Sequence, residues 1–170
     1  MLIALGAYRS RRLSQYLALA GIVVSLVLSL GVFLTMAGAP QIVQPTSVPW
    51  FTLGNEEAGL GVYLDPTDAV MVAMVSIVCA LIFVYSVGYM HAEPRYARFF
   101  AYVSLFASAM LAAVVCDNLL AFFVSWEIMG ACSYLLIGFY WDTEAAPAAG
   151  LKAFIVTKTA DLALLLGVVL

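Results

Sequence analysis

Apolar residues run along this chain in blocks too long for the one-sided stripe of a soluble helix. Ser14 to Met36 is almost unbroken, and Ala69–Met90, Phe99–Cys116, Leu119–Tyr140 and Lys152–Leu170 repeat the pattern. A bilayer core of ~30 Å takes about 20 apolar residues of helix. The pattern therefore predicts five membrane spans, at 14–36, 69–90, 99–116, 119–140 and 152–170. Recurrence of such runs down the chain excludes a cleavable signal peptide as their explanation. Met1–Leu5 reads as the tail of a further helix, and Leu170 stops in mid-run, so both ends read as cut. Residues 37–68 carry Pro40, Pro45, Pro49 and Pro66, and Leu60–Leu64 has a β-type alternation that predicts a small external hairpin. The expected fold class is all-α: a polytopic transmembrane bundle forming one membrane domain over 1–170, with a short extracytoplasmic loop or hairpin.

Composition agrees. Hydrophobic residues make up 65% of the chain and charged residues 10%, with a mean hydropathy of +1.07. Soluble domains run at roughly 25% charged, so the solvent here must largely be lipid. That excludes a soluble enzyme and a disordered regulator. Seven Lys and Arg against ten Asp and Glu leave a charge of −3 and no basic stripe for phosphates, which excludes a nucleic-acid partner.

The basic residues orient the chain. In an antiparallel zigzag Arg9, Arg11, Arg12, Arg95, Arg98 and Lys152 all fall on one side, the cytoplasmic one. The opposite side receives 37–68, which contains no Lys or Arg, and the short Asp117-Asn118 turn. Cys79, Cys116 and Cys132 sit in apolar runs and read as small hydrophobes. There are no paired membrane histidines for haem, no cysteine cluster and no glycine-rich nucleotide loop. No cofactor or metal is therefore expected in this chain.

The informative residues are the ionisable groups at membrane depth. Glu127 lies about eight residues into the fourth span, roughly 12 Å deep. Lys158 and Asp161 lie about six and nine residues into the fifth. Each charge at a helix centre costs ~2.5–3.5 kcal/mol on insertion scales, so each needs a partner or water. Lys158 and Asp161 stand at i,i+3 and can satisfy each other. Glu127 has no basic residue within two turns of its own helix, so its partner must come from another one. Ser125 lies two residues before it, and Gly130 and Tyr134 share its side, leaving room for a close helix or water. Desolvation favours the neutral acid and a nearby lysine favours the anion. A lysine that moves would thus switch the proton on Glu127. The competing readings are structural: an acid bonded to a neighbouring Ser or Trp, and a purely structural Lys158–Asp161 pair.

Other polar residues have plainer readings. Asp117-Asn118 fits a helix-capping turn, and Asp68 an N-cap for the second span. His91, Glu56 and Glu57 fit solvated loops; Trp50, Trp141 and the tyrosines fit interfacial belts.

Several runs together carry a family resemblance. They are Tyr85-Ser-Val-Gly-Tyr-Met90, Arg98-Phe-Phe-Ala-Tyr102, Leu105-Phe-Ala-Ser-Ala-Met110 and Asp117-Asn-Leu-Leu120. Ser125-Trp-Glu-Ile-Met-Gly-Ala-Cys-Ser-Tyr-Leu-Leu-Ile-Gly-Phe139 and Lys152-Ala-Phe-Ile-Val-Thr-Lys-Thr-Ala-Asp161 complete the set. From Tyr63 onward the chain resembles the N-terminal portion of the largest antiporter-like membrane subunit of respiratory complex I, the NuoL or NADH dehydrogenase subunit 5 family. The resemblance implies a proton-translocating subunit of an NADH:quinone oxidoreductase in the bacterial cytoplasmic membrane or an equivalent energy-transducing membrane. It implies that Glu127 is the half-channel glutamate, paired with a lysine on a broken helix beyond Leu170. It also implies that Asp161 is the acid of a Gly-Asp motif. Ala160 replaces the usual glycine, and Lys158 stands where arginine is common. NADH, FMN, iron–sulfur clusters and quinone would belong to partner subunits, and the partners would be other complex I membrane subunits, including antiporter-like ones. The same resemblance leaves three other readings: a subunit of a multisubunit cation/proton antiporter, one of a membrane-bound hydrogenase or inorganic-carbon uptake complex, or a truncated, non-transporting fragment.

A cysteine at position 55 is expected to react with an impermeant reagent only from the non-cytoplasmic face of sealed vesicles. Labelling only from the cytoplasmic face would overturn the orientation.

Overall fold

The computed structural model describes residues 11–38, 48–53 and 56–169. The Met1–Leu5 stub, Arg9 and Leu170 lie outside them, as do 39–47 and 54–55 of the loop. Among the described residues there are five helices and one hairpin: α1 (Arg11–Gly38), β1 (Val48–Leu53), β2 (Glu56–Leu60), α2 (Pro66–Tyr89), α3 (Tyr96–Val115), α4 (Leu119–Ile137) and α5 (Ala145–Val169). Helices α1 to α4 are long and apolar enough to cross a membrane. Helix α5 has the length but carries Lys152, Lys158 and Asp161. It begins well before Lys152, with Pro147 in its first turn, where a missing N–H costs no helical bond. The hairpin lies earlier than the alternation suggested: β1 and β2 pair antiparallel, with Val48 opposite Leu60.

The bundle is built inside out. Ala18, Ala69, Ala73, Ser76, Cys79, Ala97, Ala107, Ala121 and Cys132 are buried, whereas Val23, Leu34, Leu81, Val84, Ile155, Leu162 and Leu166 are exposed. Against hydrocarbon a leucine gains nothing by burial, so helices meet where small side chains let backbones approach. Larger residues fill one knot near the arginine end. Phe83 meets Phe100 edge-on at 6.0 Å, and Phe99 meets Phe139 at 5.6 Å. Helix α1 lies against α2 and α3, and α3, α4 and α5 follow in series.

The two ends of the bundle are tied differently. Helix α2 starts in a capping box: Asp65 Oδ1 accepts from the Asp68 N–H at 2.7 Å, and Asp68 Oδ2 accepts from the Asp65 N–H at 3.1 Å. The N-cap is therefore Asp65 rather than Asp68, because Pro66 takes the first helical position and puts Asp68 at the third. Asn118 caps α4, accepting from the Ala121 N–H at 2.7 Å. The same turn fastens the loop. Asn118 Nδ2 donates to the Gly59 carbonyl at 2.7 Å, Asp117 Oδ1 accepts from the Gly61 N–H at 3.1 Å, and the Tyr63 N–H donates to the Val115 carbonyl at 2.9 Å. At the other end Arg95 bonds Glu93 at 3.0 Å and Asp142 at 2.8 Å, and lies over the Phe139 and Trp141 rings. The Glu93 hydrogen bond, with the charge of Asp142 beside it, raises the Arg95 pKa and keeps the guanidinium charged.

Gly61 is where the loop latch is tightest, because a Cβ there would overlap the Asp117 carboxylate. Gly61→Ala is expected to break the latch and cost about 1–3 kcal/mol, read as a lower unfolding temperature of the detergent-solubilised protein. An unchanged temperature would show that the latch carries no stability.

A candidate ion-pair site between two helices

The charged residues at membrane depth come together on the seam between α4 and α5. The seam is set by a glycine. A Cβ on Gly150 would lie 3.3 Å from both the Tyr134 carbonyl oxygen and the Gly138 nitrogen, so a larger side chain would press these backbones apart. Gly138 closes α4, and Glu127 precedes it by about three turns; Asp161 follows Gly150 by about three turns. Each acid thus lies on the same face as its contact glycine. Because the helices are antiparallel, both acids reach the same depth.

Lys158 fills the space between them. Its ammonium bonds Glu127 Oε2 of α4 and, at 3.2 Å, Asp161 Oδ2 of its own helix. Trp126 Nε1 donates to the other Asp161 oxygen at 2.9 Å. Gly130 leaves room for the ammonium, since a Cβ there would sit 3.3 Å from Nζ. The Phe154 ring lies 5.5 Å from Nζ and adds a cation–π contact. One ammonium between two carboxylates carries a net charge of −1 when all are ionised, and a bound proton neutralises it.

Asp161 is buried, at 7% exposed. The Lys158 and Glu127 side chains keep 27% and 30% exposure. They open on a cavity of about 570 Å³ that Phe123, Phe154 and Leu165 also line. A second cavity, of about 610 Å³, lies among α2, α3, α4 and α5 and is lined by Trp126, Gly130, Ser133, Met110 and Asp68. Asp161 belongs to the walls of both.

Glu127, Lys158 and Asp161 are thus brought into one cluster. Glu127 pairs with Lys158 of the next helix, and the lysine that the resemblance places beyond Leu170 lies outside this sequence. The spacing along α5 pointed only to the Lys158–Asp161 contact. The cross-helix contact depends on how α4 and α5 are rotated, and that follows from the Gly150 approach. Trp126 as a donor to Asp161 was also missed; its only sequence signal is its place beside Glu127. Among the described residues no group of three or more His, Cys, Asp or Glu could hold a metal ion.

Two family descriptions match: "NADH-Ubiquinone oxidoreductase (complex I), chain 5 N-terminus" over residues 50–100, and "NADH:quinone oxidoreductase/Mrp antiporter, TM" over residues 116–170. Together they cover more than half of the chain, and the second includes Glu127, Lys158 and Asp161. The chain belongs to the complex I chain 5 family of antiporter-like membrane subunits. The NAD(P)H-quinone oxidoreductase chain 5 of Synechocystis sp. is 41% identical over 85% of this chain and 22% of that protein. The F(420)H(2) dehydrogenase subunit L of Methanosarcina mazei is 42% identical over 87% of this chain and 21% of that protein. Among solved structures, the Mrp complex from Dietzia sp. superposes with a TM-score of 0.69 at 27% identity, covering 96% of this chain and 18% of that one. The chain spans about a quarter of the length of the curated relatives it matches. Antiporter-like helices of this kind belong to integral membrane proteins.

Gly150→Leu would force α4 and α5 apart at their closest point. The expected result is a loss of about 1–3 kcal/mol in stability, read as a lower unfolding temperature of the detergent-solubilised protein. An unchanged temperature would mean the close approach is dispensable.

Proposed function

We propose that this chain is part of a proton-translocating membrane subunit of an NADH:quinone oxidoreductase. The observation that carries the reading is Lys158 held between Glu127 and Asp161 on the α4–α5 seam, with open cavities on either side. The matched relatives named as quinone oxidoreductase subunits support it. Glu127, Lys158 and Asp161 carry the proton step. When the ammonium sits against one carboxylate, the other loses its counter-charge and takes a proton; the return of the ammonium expels that proton. Moving one charge across 100 mV costs ~2.3 kcal/mol. A switch of a few pKa units, at ~1.36 kcal/mol each, is of that size. Residues 1–170 act as one membrane domain, with the arginine-rich end cytoplasmic. NADH, FMN, iron–sulfur clusters and quinone are handled by partner subunits, and the neighbours in the membrane are other subunits of complex I, antiporter-like ones included.

A second reading, a subunit of a multisubunit cation/proton antiporter, is favoured by the likeness to the Dietzia Mrp complex. The two predict different driving forces. Inverted vesicles carrying the full protein should acidify on NADH under the first reading and respond to a sodium gradient without NADH under the second.

Glu127→Gln keeps shape and hydrogen bonding but removes the titratable site. Translocation is expected to fall at least about tenfold, a loss of about 1.4 kcal/mol or more, while assembly and NADH oxidation persist. Normal translocation by a correctly assembled Glu127→Gln complex would reduce Glu127 to a structural acid.

A further inference from the structure

Trp126 stands outside the exchange just described, yet it holds one of its carboxylates. Phe122, one turn earlier on α4, stacks on its ring at 5.9 Å with 26° between planes. That stacking helps to orient the indole so that Nε1 points across the seam to Asp161 Oδ1 at 2.9 Å. An indole N–H only donates and does not titrate in the working range. The two oxygens of Asp161 are therefore committed to different helices: Oδ1 to Trp126 of α4, Oδ2 to Lys158 of α5.

We infer that Trp126 is a positioning residue, whose indole N–H pins Asp161 so that it stays in place while Lys158 moves. This rests on the exchange reading above. Without the pin, the Asp161 side chain could rotate after the ammonium, and the distance between the competing carboxylates would not be fixed. With it, a proton arriving from the Lys158 side meets Oδ2, because Oδ1 already accepts the indole hydrogen. The bond also forms part of the partition between the two cavities. Trp126 lines the larger one, Glu127 and Lys158 line the other, and Asp161 is in both walls. The charged groups that face Asp161 or share a cavity wall with it are Lys158 on α5, Glu127 on α4 and Asp68 on α2. Helix α3 contributes only Phe106, Met110, Ala113 and Val114 to that wall.

The test compares Trp126→Phe, which keeps a ring but loses the donor, with Trp126→Gln, which loses the ring but keeps a non-titrating N–H donor. Both are made in the full-length subunit within its assembled complex. Proton translocation per electron is followed against pH in vesicles. Trp126→Phe should lower translocation about twofold or more at neutral pH and move the acid limb of the profile toward neutrality by about half a pH unit or more. Trp126→Gln should stay nearer the parent. A Trp126→Phe profile identical to the parent overturns the inference. So does an equal shift in both variants, which would assign the effect to ring packing. Should Trp126→Phe fail to assemble, the indole N–H vibration of the parent complex, taken as a difference spectrum against Asp161→Leu, decides. A hydrogen-bonded band present only in the parent supports the pin, and a free N–H band in the parent overturns it. If Glu127→Gln itself translocates normally, the exchange reading has failed. If Glu127→Gln is inactive and Trp126→Phe is unchanged, only the role of Trp126 has failed.

Discussion

The polar centre of this bundle depends on α4 and α5 touching at Gly150. Two backbones in van der Waals contact fix the rotation and depth of both helices at once. Three turns away, that rotation turns Glu127 and Asp161 toward each other and puts Lys158 between them. A larger residue at the contact would widen the seam and leave three charges with only partial partners. At membrane depth the penalty for that is severe, because a charge without its partner keeps the full cost of its desolvation. The small glycine and the costly charges are thus one design rather than two.

The rest of the structure serves the same economy of polar groups. Outward-facing side chains such as Leu81, Val84 and Leu166 are apolar. Backbone polarity is satisfied within the helices, and the breaks between them lie at the bundle ends. There Asp65 and Asn118 cap helices, and Asp117 holds the incoming loop. The arginine end uses charge and aromatic faces instead, with Arg95 bridging the turns before α3 and before α5.

Much of this was legible in the sequence, for definite reasons. A run of about twenty apolar residues has few alternatives to a spanning helix, so the helices were readable and only their ends moved. Glu127, Lys158 and Asp161 stood out because charges are expensive in such runs. Their mutual geometry was not readable, since periodicity gives the face of one helix but not its rotation against the next. The capping box turned on whether Asp65 or Asp68 led, and Pro66 between them decided it. The hairpin was expected but placed too late, because residues 48–60, with Pro49, Gly54, Gly59 and two glutamates, show no clean alternation. Trp126 drew no role from the sequence, because a single donor atom leaves no trace in a hydropathy pattern.

The pairing across the seam also imposes an order of assembly. Synthesis runs from the N-terminus, so Glu127 reaches the membrane before Lys158 does. Helix α4 must therefore enter carrying an unanswered acid, which the neutral form or a water can tolerate for a time. Helix α5, with three charges, is the helix least able to enter alone. When it emerges, the acid already waiting in α4 is its counter-charge. The acid that pairs with the lysine in the folded bundle is thus also the one that receives it into the bilayer.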